Sequence, residues 1–539
     1  MLLLPSLALA APKQEHGAVA SDHALASAVG VAILHHGGNA IDAAIATALV
    51  IGVVNPPGSG LGGGGFLVAW LDGKAHVLDF REVAPAAATR GMFLGTDGKP
   101  NPEASQHGGL SIAVPAESIG LAEASRRWGR LPWRALVEPA RSLAAEGFPC
   151  GQHLAEMASE FAGTLPPTSQ ILTWLAPRGR ALTVGEIVRR PALAATLGRL
   201  AEHPDALQRG ELADALVDAV RASGGILTAH DLAAYRPVER VAVEGRFRRL
   251  RVLSMPPPGG GLTLIEALQI LDELGPRPTD ETIAVHREIE AMNHAFADRP
   301  SIADPAFVDV PEQRLASRAL ARELAARVHD DRVLPVDQYG ARAAPPSAAR
   351  DHGTSNLCVV DGRGDAVALT TTINLGFGSG IEAAGVILND QMDDFSAAPG
   401  QLNALGLLGD DRNAIQPGKR PQSSMAPTLL LDDKGVAICA GGSGGPTIVT
   451  GTLQVIVNVV DRHLGATEAI AAPRVHAQWR PETVLVEDAM PAPIFDGLGR
   501  LGHRVQRKKS IAAEETILRR APGWDPASDP RKSARAVSY

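Results

Sequence analysis

The chain has 539 residues, and 59 Asp and Glu against 51 Lys and Arg give it a formal net charge of −8. Hydrophobic residues make up 45% of the sequence and charged residues 20%, which is ordinary for a globular protein and excludes a disordered chain. The lack of a basic excess argues against nucleic acid as a partner. Aromatic residues are only 4%, so the core must be built mainly from aliphatic side chains.

The first ten residues, MLLLPSLALA, form a short apolar run that ends in a small-x-small pattern at Ala8-Leu9-Ala10. This pattern is typical of a signal peptide, here without the positive charge that usually precedes it. The alternative is an apolar chain terminus with no targeting role. No other stretch approaches the ~20 uncharged apolar residues of a membrane span. We therefore expect a periplasmic or secreted protein without a membrane span.

The cysteines are three in number, Cys150, Cys358 and Cys439, and they lack the spacing of a metal site. At most one disulfide is possible. The pattern favours buried free thiols and leaves the compartment open.

The first half of the chain begins with an Ala-rich helical segment over 22–51, broken at Gly37-Gly38. Residues 66–80 alternate around a central Asp-Gly pair, which predicts a β-hairpin. From about 115 to 330 the apolar spacing is mainly helical.

The second half changes character after residues 340–350, which lack periodicity and predict an exposed, flexible connector. Two strands are predicted over 355–374, with further strand signals at 380–389 and 427–440. Residues 446–463 predict a helix.

Thr354 follows this connector, and the first of the two strands begins immediately after it. If the turn is 361–364, Thr354 lies opposite Thr371, or opposite Thr372 if one extra residue intervenes. Either register folds a hydroxyl-rich strand end against Thr354. The alternative is that these threonines are ordinary cross-strand pairs.

Three polar clusters follow in apolar surroundings, at Asn374, at 389–395 and at 421–427. Each alone is consistent with a turn-rich loop. Together they would suit a zwitterionic ligand, because carboxylates bind an ammonium group while hydroxyls and a guanidinium bind a carboxylate.

A family resemblance rests on eight blocks spread over most of the chain. They are GGNAIDAAIAT (37–47), NPPGSGLGGGGF (55–66), DFREVAP (79–85), SMPPPGGG (254–261), EAMNHAFADR (290–299), NDQMDDFS (389–396), KRPQSSMAPT (419–428) and GGSGGP (441–446). With these blocks in this order, the sequence resembles the γ-glutamyltransferase family (γ-glutamyltranspeptidases). The resemblance implies an α/β (α+β) fold, a four-layer αββα sandwich of the N-terminal nucleophile hydrolase type.

The resemblance also implies that one precursor cuts itself between Gly353 and Thr354. The products would be a large subunit, residues 11–353, and a small subunit, 354–539, which remain one intertwined heterodimer. Thr354 then starts a chain, and its freed α-amine, with a pKa near 8, is able to activate its own hydroxyl near neutral pH. No metal or organic cofactor is implied.

The implied site binds a glutathione-like γ-glutamyl donor and passes the acyl group to water or to the amine of an amino acid or dipeptide. The family pattern assigns the nucleophile to Thr354, its hydrogen-bonding partner to Thr372, and the oxyanion-binding amides to Gly444 and Gly445. The donor's α-carboxylate falls to Arg81, Ser423 and Ser424, and its α-amino group to Asn374, Gln391 and Asp394.

Departures from the family pattern concern the processing site and the pocket cover. Asn356 stands where His is usual, and Leu405 stands where many bacterial members have a Tyr. GGSGGP replaces the commoner GSPGGS. Because of these differences, the resemblance supports the reaction class more strongly than it supports glutathione as the preferred donor. They also leave open the alternative that the protein is an acylase, which would cleave glutaryl-cephalosporins with the same catalytic residues.

A rival reaction class is a serine α/β-hydrolase. Residues 441–445 match GxSxG between a strand and a helix, which would make Ser443 a nucleophile with Asp461 and His503. A catalytically inactive binding protein is a third possibility.

Two further motifs favour structural roles. Gly58–Gly63 matches GxGxxG, but a helix precedes it and a strand follows, the reverse of a dinucleotide site. His35 and His36 point to different faces of a helix, so a metal site is not expected there.

Overall fold

The computed structural model describes residues 17–340, 353–532 and 534–538. In chain order its strands are β1 Ala18–Ser21, β2 Gly64–Leu71, β3 Lys74–Phe80, β4 Phe148–Pro149, β5 Ile187–Val188, β6 Val238–Arg240, β7 Val243–Phe247, β8 Leu250–Ser254, β9 Ser355–Val360, β10 Ala366–Thr372, β11 Glu382–Ala383, β12 Val386–Ile387, β13 Thr428–Asp432, β14 Gly435–Ser443, β15 Val475–His476, β16 Thr483–Glu487, β17 Arg504–Lys508, β18 Ala513–Arg520, β19 Gly523–Ser528 and β20 Val537–Ser538.

The helices are α1 Ala24–His35, α2 Ala40–Val54, α3 Pro102–Gln106, α4 Glu117–Trp128, α5 Trp133–Glu146, α6 Gln152–Phe161, α7 Leu172–Leu175, α8 Pro191–Glu202, α9 Glu211–Ala222, α10 Ala229–Ala234, α11 Gly261–Glu273, α12 Glu281–Asp298, α13 Glu312–Leu315, α14 Arg318–Ala325, α15 Thr447–Val460, α16 Ala466–Ala471 and α17 Ala492–Leu501.

Two large sheets form the centre of the molecule. The first has the order β20-β1-β9-β10-β2-β3-β6, and the second has the order β19-β18-β14-β13-β8-β7. Strands β9 and β10 of the first sheet contact β14 of the second, so the sheets pack face to face. Helices α1, α2 and α4 cover the outer face of the first sheet, and α11, α15 and α16 cover that of the second. The fold is therefore the αββα sandwich that the family resemblance implies.

The first sheet is buried on both faces because its strands carry apolar side chains at successive positions, which point to opposite sides. The residues facing the helices are Val19, Leu67, Ala69, Leu78, Leu357, Val359, Val367 and Leu369. Those in the core cluster between the sheets are Ala18, Ala20, Phe66, Val68, Val77, Cys358, Val360, Ala366 and Ala368.

A disulfide between Cys358 and Cys439 joins β9 to β14, and Cys150 is a buried free thiol. The expectation of three free thiols is therefore wrong for two of them. Sequence spacing gave no sign of the pairing, because the two cysteines are 81 residues apart and meet only when the sheets stack.

The predicted segments over 22–51, 66–80, 355–374 and 446–463 are confirmed as helices, hairpin, strand pair and helix. The predominantly helical interpretation of 115–330 missed β7 and β8, which extend the second sheet beside β13. Most of the predicted connector and the apolar residues 1–10 lie outside the described residues. Among the residues that are described, no helix is both long and apolar enough to cross a lipid bilayer.

Candidate active site

The hairpin of β9 and β10 sets the position of Thr354. Ser355 pairs with Thr371, and Val360 pairs with Ala366, so continuing the register by one residue sets Thr354 opposite Thr372. The predicted turn was one residue too short, because the Asp361 amide donates to the Asp365 carbonyl and extends the turn to 361–365. Of the two predicted registers, the one with an extra residue is found.

Thr372 is the centre of a small hydrogen-bond chain. Its Oγ1 donates to the Gly353 carbonyl at 3.0 Å and accepts from the Asn374 amide at 2.8 Å. Its single proton is then used, so the 3.2 Å contact between the two threonine hydroxyls has Thr354 as donor. One hydroxyl therefore touches both the side chain of Thr354 and the carbonyl that precedes it.

The glycine-rich turn before β2 packs against this strand end. A Cβ on Gly353 would lie 2.1 Å from the Pro57 carbonyl oxygen, and one on Gly63 would lie 2.0 Å from the Thr372 carbonyl oxygen. These close approaches explain why small residues are needed here. The turn has the structural role that the sequence favoured over a dinucleotide site.

A cavity of about 20 Å³, roughly the room for one water molecule, opens beside Thr354. Leu405 and Leu407 line it from the loop 397–409 and, being almost fully buried, cover it. The lining residues are Arg81, Arg299, Thr354, Thr372, Asn374, Gln391, Asp394, Leu405, Leu407, Gln422, Ser423, Ser424, Met425, Gly445 and Ile448. Every residue predicted from the family pattern lines it except Gly353 and Gly444.

Arg81 and Asp394 supply opposite charges at one side of the cavity. Arg81 is 1% exposed and donates through Nη2 to Asp394 Oδ2, which also accepts from Gln391 Nε2 at 2.7 Å. Gln391 Oε1 is buried without a partner among the described residues. A ligand carrying both an ammonium group and a carboxylate would be able to use these groups separately.

Ser423 and Ser424 line the cavity from the 421–427 loop, in which the Pro421 and Gln422 carbonyls accept hydrogen bonds from Arg81. Ser424 Oγ accepts from Arg299 Nη2 at 3.3 Å, and Arg299 Nη1 donates to Gln422 Oε1 at 2.9 Å. Burial lowers the pKa of Arg299 to about 10, which leaves it a cation near neutral pH. The prediction missed Arg299 and Gln422, although both lie in sequence blocks that carried the family resemblance.

Asn374 has a positive φ of 76° and donates through Nδ2 to the Asp390 carbonyl at 3.2 Å. This turn directly after β10 brings its side chain to the cavity. Asp390 itself is buried, and that burial raises the pKa of its carboxyl well above the usual value.

Gly444 and Gly445 follow β14 with φ angles of 127° and 60°, which favour glycine. Neither amide donates a hydrogen bond within the parts of the chain that the structure describes. A Cβ on Gly445 would lie 3.1 Å from Leu405 Cδ2. Two free amides before α15, one of them at the cavity, fit the binding of a developing oxyanion.

Asn356, which stands two residues after Thr354 where the family usually has His, points toward the second sheet. Its Oδ1 accepts from Thr370 Oγ1 at 2.8 Å, and a Cβ on Gly441 would come within 2.6 Å of that oxygen. It does not line the cavity.

The serine-hydrolase constellation is not formed. Ser443 Oγ contacts Lys532 Nζ, and Asp461 pairs with Arg248. His503 instead contacts His286.

The described residues give little support for a metal site near the cavity. His286, Glu290 and His503 form a buried group of potential ligands. However, His286 Nδ1 already bonds His503 Nε2 at 2.7 Å, and its Nε2 bonds the His329 carbonyl. None of the three lines the cavity. His36 meets the Ala32 carbonyl at the end of α1, in keeping with a structural role.

Comparison with known proteins agrees with this geometry. The family model described as gamma-glutamyltranspeptidase matches residues 26–539. The glutathione hydrolase proenzyme of Escherichia coli (strain K12) is 37% identical over 96% of this chain and 91% of its own length.

Two solved structures are also similar. The cephalosporin acylase from Bacillus halodurans has a TM-score of 0.86 and 29% identity, and the match covers 100% of this chain and 99% of the acylase. The γ-glutamyltranspeptidase of Helicobacter pylori has a TM-score of 0.57 and 33% identity, over 58% of this chain and 92% of that one. The chain thus belongs to the γ-glutamyltranspeptidase family of enzymes.

Proposed function

We propose that this protein is a self-processing γ-glutamyltransferase and glutathione hydrolase whose nucleophile is Thr354. The observation that carries the proposal is the contact of Thr354 Oγ1 with Thr372 Oγ1 beside a cavity that pairs Arg81 with Asp394. The reaction cleaves a γ-glutamyl amide bond and forms a γ-glutamyl ester on Thr354. Water or the amine of an amino acid or peptide then accepts the acyl group.

Processing begins from the arrangement around Gly353. The Thr354 hydroxyl attacks the Gly353 carbonyl, whose oxygen is polarised by the Thr372 hydroxyl at 3.0 Å. The peptide bond is exchanged for an ester, which water opens. The proposed products are a large subunit, residues 11–353, and a small subunit, residues 354–539, held together as a heterodimer by the shared sheets.

Turnover uses the amine that processing sets free. The α-amine takes the proton of the Thr354 hydroxyl as the oxygen attacks the donor's γ-carbonyl, and it returns that proton to the leaving amine. The amides of Gly444 and Gly445 bind the oxyanion. One such donor typically contributes about 3–4 kcal/mol to lowering the barrier.

The donor's α-carboxylate is assigned to Arg81, Ser423 and Ser424. Its α-ammonium group is assigned to Asn374, Gln391 and Asp394. A bound ammonium group would take over Asp394 from Arg81 and free that guanidinium for the carboxylate.

A glutaryl-cephalosporin-type acylase is the second candidate, favoured by the full-length similarity to the cephalosporin acylase. A glutaryl group has no α-ammonium and leaves Asp394 without a ligand. The ratio of kcat/KM for γ-glutamyl-p-nitroanilide to that for glutaryl-p-nitroanilide separates the candidates. We expect the γ-glutamyl compound to be preferred, and a preference for the glutaryl compound would favour the acylase.

We also propose that the protein works in the periplasm or is secreted. The support is the Cys358–Cys439 disulfide, because disulfides persist mainly in oxidising compartments.

The activity test compares two single variants on γ-glutamyl-p-nitroanilide. We expect Thr354→Ala to abolish release of p-nitroaniline and Ser443→Ala to retain activity. Loss of activity in Ser443→Ala alone would instead support the serine hydrolase, and an uncut, inactive wild-type chain would support a binding protein.

A further inference from the structure

Lys532 makes three contacts that connect separate parts of the site. Its Nζ lies 2.8 Å from the Thr354 carbonyl oxygen, 2.6 Å from Ser443 Oγ and 2.8 Å from Asp22 Oδ2. An ammonium group has three N–H donors, and these three acceptors match that number. The side chain is largely buried, at 14% exposure.

The three partners come from distant parts of the sequence. Asp22 follows β1, Thr354 immediately precedes β9, and Ser443 is the last residue of β14, directly before the oxyanion glycines. Lys532 therefore bridges the nucleophile strand of the first sheet and the oxyanion strand of the second.

Ser443 gains a role from this contact. Its hydroxyl lies 3.3 Å from the Ala513 carbonyl, so it donates there and offers a lone pair to Lys532. The GxSxG pattern thus marks a residue that holds the lysine, while the nucleophile is Thr354.

The charged and titratable groups around Lys532 come from several elements. Asp22 pairs with it directly, and Glu515 on β18 lies beside Asp22, where burial raises the pKa of its carboxyl well above the usual value. Asp529 is also near but pairs with Arg474 and Arg531. Two histidines, His23 and His153, complete the surroundings, and burial lowers the pKa of each to about 4.

Among the residues that the structure describes, the basic side chain in direct contact with Thr354 is that of Lys532, and Asp22 contacts Lys532. The Thr354 carbonyl and amino nitrogen belong to the same residue, so the ammonium group lies within roughly 6 Å of the amine. A cation at that distance favours the unprotonated form of a neighbouring amine.

We propose that Lys532 is a positioning residue for the threonine nucleophile, an inference that rests on the proposed function. After cleavage, Thr354 is no longer held through a peptide bond to Gly353. Lys532 then fixes the Thr354 carbonyl and so aligns the hydroxyl with Gly444 and Gly445. It also keeps the α-amine unprotonated at neutral pH, ready to act as a base.

The test measures kcat, KM and the pH profile of kcat/KM for γ-glutamyl-p-nitroanilide on processed enzyme. We expect Lys532→Met to lower kcat by about 10- to 100-fold through misalignment, with little change in KM, and to move the acidic limb to higher pH. Lys532→Arg should restore most of kcat and the position of the limb. Lys434→Met, at an exposed lysine in the turn between β13 and β14, is the matched control and should behave as wild type.

Ser443→Ala keeps the test decisive if Lys532→Met does not mature, because it removes only one acceptor of the ammonium group. It should move the acidic limb in the same direction by a smaller amount. A wild-type profile in Lys532→Met or, if that variant does not mature, in Ser443→Ala would overturn the inference but leave the proposed function intact, provided that Thr354→Ala is inactive. An active Thr354→Ala would overturn the proposed function itself.

Discussion

The Thr372 side chain takes part in both processing and turnover in this account. It donates to the carbonyl of the bond to be cut and accepts from the nucleophile. Both contacts need a hydroxyl group at this position, so an apolar side chain of the same shape could not make them.

Thr372→Val removes the hydroxyl with little change in volume. We expect processing to slow by about 100-fold, because the Gly353 carbonyl loses the donor that polarises it. Denaturing gels taken over time after synthesis measure the conversion. Thr372→Ser is the control and should mature at a rate close to wild type, whereas normal maturation of the valine variant would contradict this role.

Arg81 binds the donor in this account, and Arg81→Lys tests its guanidinium. The substitution keeps the charge but loses the planar pair of donors. We expect KM for γ-glutamyl-p-nitroanilide to rise about 10- to 100-fold, the range for losing a charge-assisted hydrogen bond. Arg90→Lys, at an exposed arginine, should leave KM unchanged. An unchanged KM in Arg81→Lys would argue against donor binding by Arg81.

The site residues also show which contacts could be predicted from the sequence and which could not. Family matching gave Arg81, Asn374, Gln391 and Asp394, which line one cavity. It did not give Arg299, whose role depends on the end of α12 meeting the 421–427 loop across 123 residues of chain. No local pattern contains that contact.

At the scale of elements, the hairpin of β9 and β10 and its partner β14 form the frame of the site. Two strand signals around a turn predicted the hairpin but left two registers open, and the structure has the one in which the aspartate-rich turn holds one more residue. Strands β7 and β8 were missed since short strands between helical segments have weak periodicity. The loop 397–409 covers the cavity with Leu405, which packs against Gly445.

The disulfide between β9 and β14 gives a direct element-level prediction. Unreduced, unfolded protein should show one reactive thiol, Cys150, and reduction should raise the count to three. We expect the Cys358→Ala/Cys439→Ala double variant to lose about 2–4 kcal/mol of stability, because the unfolded chain is no longer cross-linked. Thiol titration and thermal unfolding measure both effects, and three reactive thiols before reduction would contradict the pairing.

Across the whole molecule, buried carboxyl groups couple stability to pH. Glu514 is fully buried beside Thr452, and desolvation raises the pKa of its carboxyl to about 8. The folded state therefore binds the Glu514 proton more tightly than the unfolded state does. The resulting stability is full below the unfolded pKa of about 4.5 and is lost as pH rises through about 8.

Glu514→Gln replaces this carboxyl with a group that is neutral at every pH. We expect Tm of the variant to fall less steeply than that of wild type between pH 5 and pH 8. Glu146→Gln, at an exposed site on α5, is the control and should keep the wild-type slope. Identical slopes in Glu514→Gln and wild type would show that this group does not contribute.

The measurement closest to the central claim is amino-terminal sequencing of the purified protein, run beside Thr354→Ala. We predict two chains in active wild-type protein, the shorter one starting at Thr354, and a single inactive chain in the variant. A fully active protein that remains in one piece, or a variant that works without the Thr354 hydroxyl, would contradict the account.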